Sequence, residues 1–149
     1  MSEISYELHF NDRVVKTFQK RENNFWNVFK KNTKNFPKNF AISDDQKKLT
    51  YAETYDLVLK QSVYLKSLGI KKGDRICLLF ENSWPLIIYI LVGLKDGLMV
   101  VPLNPKSSST ENLMIINDCT PKVVFFDQSL LKNITFKDEV TTVKHFISF

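Results

Sequence analysis

The stretch Ile76–Pro105 constrains the fold more than any other part of the sequence. Ile76–Phe80 is an apolar run without polar alternation, which is typical of a strand that is buried on both faces. Trp84–Leu94 is apolar on almost every side, so we expect a buried helix rather than an amphipathic one. Leu98–Val101 is a second short apolar run. Because a strand, a helix and a strand follow one another, this stretch predicts a βαβ unit with parallel strands.

Residues that begin and end helices and strands separate these elements. Asn82 and Ser83 can cap the predicted helix, and Pro85 falls in its first turn, where no backbone N–H is needed. Gly97 can adopt the left-handed conformation that ends a helix. Pro102 and Pro105 stop the second strand, because proline cannot donate a hydrogen bond to a neighbouring strand.

Before this unit, the pattern predicts two helices with a strand between them. Phe25, Val28 and Phe29 lie at helical spacing and predict a short helix with a packed apolar face and a basic outer face. Phe40–Ser43 reads as a short strand, after which Leu49 leads into the next helix. Met1–Arg21 has no clear periodic pattern, apart from Ile4–Phe10, which reads as an extended segment.

The second helix has clear start and stop signals. Thr50 and Glu53 have the spacing of a capping box, in which each side chain bonds the backbone N–H of the other residue. Apolar residues then repeat at intervals of three and four as far as Leu68. Gly69 suits the position just after the helix, with Ile70 placed for the accompanying apolar contact.

After the βαβ unit, the alternation of helix and strand continues. Ser108 and Glu111 repeat the capping-box spacing and open a helix that reaches about Asp118. Val123–Phe126 predicts a further buried strand, and Val143–Ile147 the last one. We therefore expect an α/β fold: a doubly wound, mostly parallel sheet flanked by helices on both faces.

Four sequence motifs fall in a familiar order and spacing: Leu49-Thr50-Tyr51 with Glu53; Gly69–Ile76; Glu81-Asn82-Ser83; and Leu94–Gly97 followed by Val101–Pro105. Together they resemble the adenylate-forming (AMP-binding) superfamily, which comprises acyl-CoA synthetases, luciferases and nonribosomal-peptide adenylation domains. The resemblance covers roughly residues 25–130 and includes that family's first two core motifs. Asp96 departs from the pattern, because the family usually has alanine there. We expect this carboxylate to face solvent at the helix end; the alternative is a partly buried carboxylate, which would need Lys95 or Lys66 as its partner.

The resemblance implies a domain organisation. Residues 1–24 form a basic N-terminal segment, and residues 25–149 form the N-terminal α/β subdomain of an AMP-binding synthetase that is truncated at its C-terminal end. Val143–Phe149 is more apolar than a natural terminus usually is, which favours the same interpretation. The motif Val101–Pro105 is more like that of acyl-CoA synthetases, because peptide adenylation domains tend to carry aspartate where Asn104 stands.

The resemblance also implies an activity for the intact enzyme. Such an enzyme joins a carboxylic acid to ATP as an acyl-adenylate and then forms a thioester with coenzyme A, so ATP, Mg²⁺ and CoA are its expected cofactors. The family's phosphate loop and later motifs lie beyond the matched residues. We therefore expect no catalytic, cofactor-binding or metal residue in this chain and no activity from it alone. Lys106–Thr110 is only a superficial match to the phosphate loop, because it has no glycine.

Other residues that could carry chemistry are interpreted as structural. His9 and His145 are far apart in sequence and belong to no nucleophile motif. The adjacent carboxylates Asp44-Asp45 and Asp138-Glu139 are interpreted as solvated loop charge. The two cysteines, Cys77 and Cys119, are expected to be reduced core thiols, because neither has a CxxC partner or a histidine at metal spacing. Three tyrosines on the second helix are expected to be core residues with hydroxyls at the rim: Tyr51, Tyr55 and Tyr64.

Positive charge is concentrated at the front of the chain. Residues 1–40 hold eight Lys and Arg against four Asp and Glu, whereas residues 41–149 hold thirteen against twelve. The folded part therefore lacks the basic stripe that nucleic-acid binding requires. The basic front could touch an acidic membrane surface, although a solvated segment is the plainer interpretation. Neither a signal peptide nor a membrane-spanning segment is evident, so we expect a cytoplasmic protein.

Three hypotheses follow for what the chain does. It is the scaffold portion of an acyl-CoA synthetase or of a peptide-synthesis adenylation domain, whose partner is the remainder of the same enzyme. Such a fragment exposes apolar surface through which it could form a homodimer. Alternatively, it is a stand-alone interaction module that kept the scaffold. The third hypothesis is an unrelated doubly wound domain that binds a ligand at the carboxyl ends of its strands.

Overall fold

The computed structural model describes residues 4–135 and 140–149. In chain order the elements are β1 (Ile4–His9), β2 (Arg13–Phe18), α1 (Phe25–Asn35), β3 (Phe40–Ser43), β4 (Lys48–Thr50), α2 (Tyr51–Ser67), β5 (Arg75–Leu79), α3 (Trp84–Asp96), β6 (Met99–Pro102), α4 (Ser109–Cys119), β7 (Val123–Phe126), a 3₁₀ helix (Gln128–Ile134) and β8 (His145–Ser148).

The centre of the fold is a four-stranded parallel sheet in the order β6-β5-β7-β8. Ile76 on β5 lies beside Val100 on β6 and Val123 on β7, and both pairings are parallel. β7 pairs with β8 in the same direction, with Val124 beside Phe146. The predicted βαβ unit is therefore confirmed, and Pro102 is the last residue of its second strand, as expected.

Helices cover both faces of this sheet. Successive strand residues point to opposite faces, so each strand contributes to two cores. Ile76, Leu78 and Phe125 face a core that is shared with α2 and α3. Cys77 and Leu79 face a second core that is shared with α4 and the 3₁₀ helix. Two buried faces explain the unbroken apolar runs in the sequence, and the doubly wound α/β prediction is confirmed.

The predicted helix caps are present. In α2 both hydrogen bonds of the Thr50–Glu53 capping box form, and in α4 both bonds of the Ser108–Glu111 box form. After α2, the Ile70 N–H donates to the Leu65 carbonyl at 3.1 Å. This bond closes the Schellman ending that the glycine at position 69, with φ +76°, makes possible.

The alternation of helices and strands does not extend to the front of the chain, where two antiparallel hairpins form instead. Ile4–His9 is extended as predicted, but its partner strand β2 was missed. The turn between them has positive φ at Phe10 and Asn11 and contains no glycine to mark it. β3 pairs with β4, so Leu49, which leads into the next helix as predicted, does so from a short strand that was not predicted.

The packed face of α1 also differs from the prediction. Phe29 is buried, but Phe25 and Val28 are exposed. Trp26 takes their place, because its ring stacks on Phe29 at 5.7 Å and on Tyr55 at 5.6 Å between centroids. The aromatic contacts with α2 therefore rotate the helix away from the stripe that sequence spacing favours.

The most apolar helix, α3, has 13 residues. In the described ranges, no helix combines the length and the apolar character that a membrane span requires.

Candidate functional site

The carboxyl ends of the parallel strands form the edge where an α/β sheet of this type binds ligands. The chain leaves β5 towards β6 on one side, and then returns across the sheet to β7 on the other. This change of direction opens a crevice between the ends of β5 and β7, the usual ligand position in doubly wound folds. We call it the carboxyl-edge cavity. It has a volume of about 240 Å³ and is lined by Asp44, Asp45, Gln46, Glu81, Asn82, Ser83, Asp127 and Ser129.

Asp44, in the β3–β4 turn, uses both carboxylate oxygens in this cavity. Oδ1 accepts the backbone N–H groups of Gln46 at 2.9 Å and of Lys47 at 2.7 Å. Oδ2 accepts the N–H of Trp84, the first residue of α3, at 2.8 Å. These bonds, chiefly the one from Trp84, hold the pKa of the Asp44 carboxyl below its usual value. Asp44 is therefore a structural cap and not merely the solvated charge that the sequence suggested.

This cap replaces the one that was predicted from local sequence. Ser83 occupies the N-cap position of α3, but its side chain makes no capping bond. Its hydroxyl instead donates to the carbonyl of Glu81 at 3.0 Å. Because Pro85 has no N–H, Trp84 presents one of the few free donors in the first turn, and Asp44 reaches it from 40 residues away.

Aromatic rings and one cation surround the same helix end. The Lys47 ammonium lies 4.5 Å from the centre of the Trp84 ring. Phe149 packs edge-on against Trp84 at 5.2 Å and against Tyr89 at 6.1 Å. These contacts fix the start of α3 against the end of β8.

The remaining carboxylate with known contacts in the cavity is also a cap. Asp127 Oδ1 accepts both the N–H and the hydroxyl of Ser129, at 2.8 and 2.6 Å, at the start of the 3₁₀ helix. Within residues 4–135 and 140–149, no group of three or more His, Cys, Asp or Glu side chains is arranged to hold a metal ion. Four carboxylates line the cavity, those of Asp44, Asp45, Glu81 and Asp127, and this negative charge disfavours phosphate groups there.

The serine-rich loop after β6 acts as a helix cap. The Ser108 hydroxyl accepts the N–H of Glu111, and the Ser109 hydroxyl contacts that of Thr135 at 2.8 Å. Lys106 donates its backbone N–H to Asn104 Oδ1 at 3.0 Å. The hydroxyls of Ser108 and Ser109 therefore have structural contacts within Lys106–Thr110.

Asp96 corrects a prediction, because it does not face solvent. Its side chain is only 11% exposed and lies 2.9 Å from Lys95 Nζ and 3.3 Å from Lys66 Nζ. Lys95 also donates to the Ser62 hydroxyl at 2.8 Å. Burial alone would raise the pKa of Asp96, but hydrogen bonds from Ser62 and Lys95 and the two lysine charges outweigh it, so the pKa is lowered.

The other candidates that the structure describes do not assemble into a site. His9 on β1 contacts Glu7 at 3.2 Å, and His145 begins β8. Asp138 and Glu139 lie outside the described residues. Of the three tyrosines, Tyr51 and Tyr55 pack against the core, whereas Tyr64 is 41% exposed, which corrects its assignment as a core residue.

Both cysteines are reduced in the structure, Cys77 on β5 and Cys119 at the end of α4. Sequence reasoning missed that their sulfur atoms lie 3.6 Å apart. The available signal was topological. The helix after the edge strand β6 packs on one face of the sheet, and every second residue of β5, including Cys77, points to that face.

Comparisons with known proteins agree with this architecture. The profile of the family described as "AMP-binding enzyme" matches residues 29–148. The chain belongs to this family. Over 138 residues it is 30% identical to a long-chain-fatty-acid–CoA ligase of Thermus thermophilus, covering 88% of this chain and 25% of that protein. It is 33% identical over 101 residues to the nonribosomal peptide synthetase sidE of Aspergillus fumigatus, covering 67% of this chain and 5% of that protein.

Solved structures extend the family assignment to the fold. A Mycobacterium tuberculosis fatty acyl CoA synthetase superposes with a TM-score of 0.78 at 26% identity, covering 85% of this chain and 26% of that one. This AMP-binding family member thus spans about a quarter or less of the length of each of these three relatives. Residues 1–28, which contain the first hairpin, precede the matched region.

Proposed function

We propose that this chain is the N-terminal scaffold portion of an AMP-forming acyl-CoA synthetase. The complete enzyme activates a carboxylic acid with ATP: the carboxylate attacks the α-phosphate, an acyl-adenylate forms and pyrophosphate leaves. The thiol of coenzyme A then attacks the acyl carbon, a thioester forms and AMP leaves. Mg²⁺ would neutralise the phosphate charge during the first step.

One observation carries the choice of acyl-CoA synthetase within the family. The Thermus thermophilus relative, whose name states that it joins long-chain fatty acids to CoA, is matched over 88% of this chain. The synthetases and synthases that the chain also resembles, the peptide synthetase sidE among them, are matched over 62–78%, and a second ligase of this name over 53%. The alignment with the Thermus thermophilus ligase therefore covers more of this chain than the alignment with the Aspergillus fumigatus peptide synthetase, at a similar sequence identity.

Asn104 adds less to this choice than its place in the motif suggested. Its side-chain oxygen accepts the Lys106 N–H, and its backbone carbonyl accepts the Ser107 N–H at 3.0 Å. An aspartate would make the same turn. The choice between the two kinds of enzyme therefore does not depend on the structural role of residue 104.

The proposed contribution of this chain is to position machinery that other parts of the enzyme supply. In the carboxyl-edge cavity, Asp44 and Asp127 are committed to capping and the local charge is negative. This negative charge disfavours phosphate groups, and no described side chains are grouped to hold a metal ion. We therefore propose that the contacts to ATP, Mg²⁺ and CoA lie outside residues 1–149 and that the remainder of the enzyme is the principal partner. A cytoplasmic location is part of the same proposal.

The test compares the 149-residue chain with the protein made from its complete coding sequence. Both are incubated with ATP, Mg²⁺ and radiolabelled pyrophosphate, together with fatty acids, aromatic acids and amino acids in separate reactions, and then with CoA. We expect exchange and thioester formation from the complete protein with fatty acids, and neither from the 149-residue chain.

Each contrary result has a distinct meaning. Exchange by the 149-residue chain itself would refute its role as an inactive scaffold. Exchange by the complete protein with amino acids and not with fatty acids would replace the acyl-CoA synthetase by a peptide-synthesis adenylation enzyme. Absence of exchange with every acid would favour a non-catalytic module.

A further inference from the structure

Two thiols meet in the second core, where α4 packs on the sheet. The sulfur of Cys77 lies 3.6 Å from the sulfur of Cys119, so the two thiols are in direct contact. A disulfide requires about 2.05 Å between sulfurs, so closure asks for a movement of about 1.5 Å. We propose that Cys77 and Cys119 form a reversible disulfide, a covalent modification site that ties the end of α4 to the central strand of the sheet.

The two cysteines differ in freedom of movement. Cys77 is fully buried on β5, which is paired on both sides by β6 and β7. Cys119 is the last residue of α4 and is followed by Thr120 in a left-handed conformation, with φ 44°, and then by Pro121. Closure therefore requires movement at the end of α4, because β5 is held on both sides by its neighbouring strands.

The two cysteines also differ in access and reactivity. Cys119 is partly exposed whereas Cys77 is fully buried, so of the two residues Cys119 is the one that a small oxidant meets first. Burial, followed by the proximity of Cys119, raises the pKa of the Cys77 thiol, so Cys77 stays protonated and does not react first. Oxidation therefore begins at Cys119, and Cys77 resolves the intermediate.

The oxidant is a low-molecular-weight disulfide such as oxidised glutathione. The Cys119 thiolate attacks one of its sulfurs, so a mixed disulfide forms and one glutathione thiolate leaves. Cys77 then loses its proton and attacks the Cys119 sulfur, the protein disulfide forms, and the second glutathione leaves as a thiolate that takes up this proton. Two cysteine thiols are oxidised and one glutathione disulfide is reduced to two thiols.

The test is independent of the proposed enzymatic function. The protein is equilibrated with mixtures of reduced and oxidised glutathione, its free thiols are blocked, and it is digested with trypsin. We expect a crosslink between peptides 76–95 and 107–122 that appears as the oxidised fraction rises and disappears with dithiothreitol. The crosslinked protein should also have a higher Tm than the reduced protein, because the crosslink closes a long loop.

Two variants keep the test decisive if one of them folds poorly. Cys119→Ser, which alters a partly exposed position, should abolish the crosslink and the oxidation-dependent rise in Tm. Cys77→Ala should leave Cys119 carrying only a glutathionyl group. A wild-type protein that accumulates glutathionylated Cys119, intermolecular disulfides or unmodified thiols throughout the redox range would overturn the proposal.

Discussion

At the scale of single residues, Asp44 shows how a surface turn can stabilise a buried helix. Its carboxylate accepts two N–H groups of its own turn and the first N–H of α3. The neighbouring Asp45 is exposed. Two adjacent, chemically identical side chains therefore differ in their contacts: Asp44 accepts three N–H groups, one of them from a residue 40 positions away in the sequence.

We expect Asp44→Ala to lower the Tm by roughly a few degrees, because the variant leaves the Trp84 N–H without its acceptor. Asp45→Ala serves as the matched control and should leave the Tm nearly unchanged. Adding Ser83→Asp to Asp44→Ala should restore part of the loss by placing a local cap at the same helix end. Thermal unfolding followed by circular dichroism measures all three. Equal losses for both aspartates would contradict the assignment.

Asp96 leads to a prediction about pH. Because its folded pKa lies below the unfolded value of about 3.9, its stabilising contribution is present above that pH and is lost as the pH falls through the folded pKa. Asp96→Asn should therefore lower the free energy of unfolding by roughly 0.5–1 kcal/mol at pH 6, after solvent screening. The difference in the free energy of unfolding between Asp96→Asn and the wild type should shrink below pH about 4.

Urea titrations at several pH values measure this difference. Asp118→Asn, at an exposed position on α4, provides the control and should show no such loss at pH 6. An Asp96→Asn effect that stays constant from pH 6 to pH 3 would indicate that the charge of Asp96 is not its source.

At the scale of elements, the approach of α3 to β6 depends on one glycine. Gly93 lies in the buried part of the helix, and a Cβ built there overlaps the side chain of Val100 on β6. The carbonyl of Gly93 also accepts the N–H groups of Gly97 and Leu98 at the helix end. The helix and the strand that follows it therefore pack closely because position 93 has no side chain.

Gly93→Ala should destabilise the fold by about 1–3 kcal/mol, even though alanine is the better helix former, because overpacking outweighs helix propensity. Combining it with Val100→Ala, which removes the overlapping methyl groups, should recover much of the loss. The coupling energy from urea unfolding of the two single variants and the double variant is the measurement. Additive effects would rule out the close contact as the cause.

The elements also show which parts of the fold could be read from sequence. The capping box at Thr50 and the glycine ending at Gly69 involve residues within five positions of each other, so their signals are local and the predictions were confirmed. The cap from Asp44 depends on tertiary folding and left no local trace. The packed face of α1 was missed because two overlapping helical stripes exist, and contact with α2 selects the one that contains Trp26.

At the scale of the whole molecule, the first hairpin turns its apolar side outward. Ile4 lies opposite Phe18, and Leu8 opposite Val14, so these four side chains share one face, and all are exposed. Thr17, on the other face, is buried and donates to Glu7 at 2.9 Å. Polar groups inside and apolar groups outside reverse the usual arrangement, which favours contact between this face and another apolar surface.

We therefore expect the 149-residue chain to self-associate, so that its sedimentation coefficient rises with concentration. Leu8→Lys should weaken this association, because it places a charge in the exposed apolar face. Val63→Lys is the matched control, since Val63 on α2 is 68% exposed and Leu8 is 66% exposed. A monomer that persists over a wide concentration range would instead favour the hypothesis of a stand-alone module.

The bond between Asp44 and Trp84 also affects how this fold can be recombined with related sequences. The acceptor lies in the β3–β4 turn and the donor at the start of α3. A chimera whose junction falls between residues 51 and 83 therefore takes the two groups from different parent proteins. A chimera built at that point keeps α3 intact only if the incoming turn carries a carboxylate at position 44, or if the segment before Trp84 brings a cap of its own.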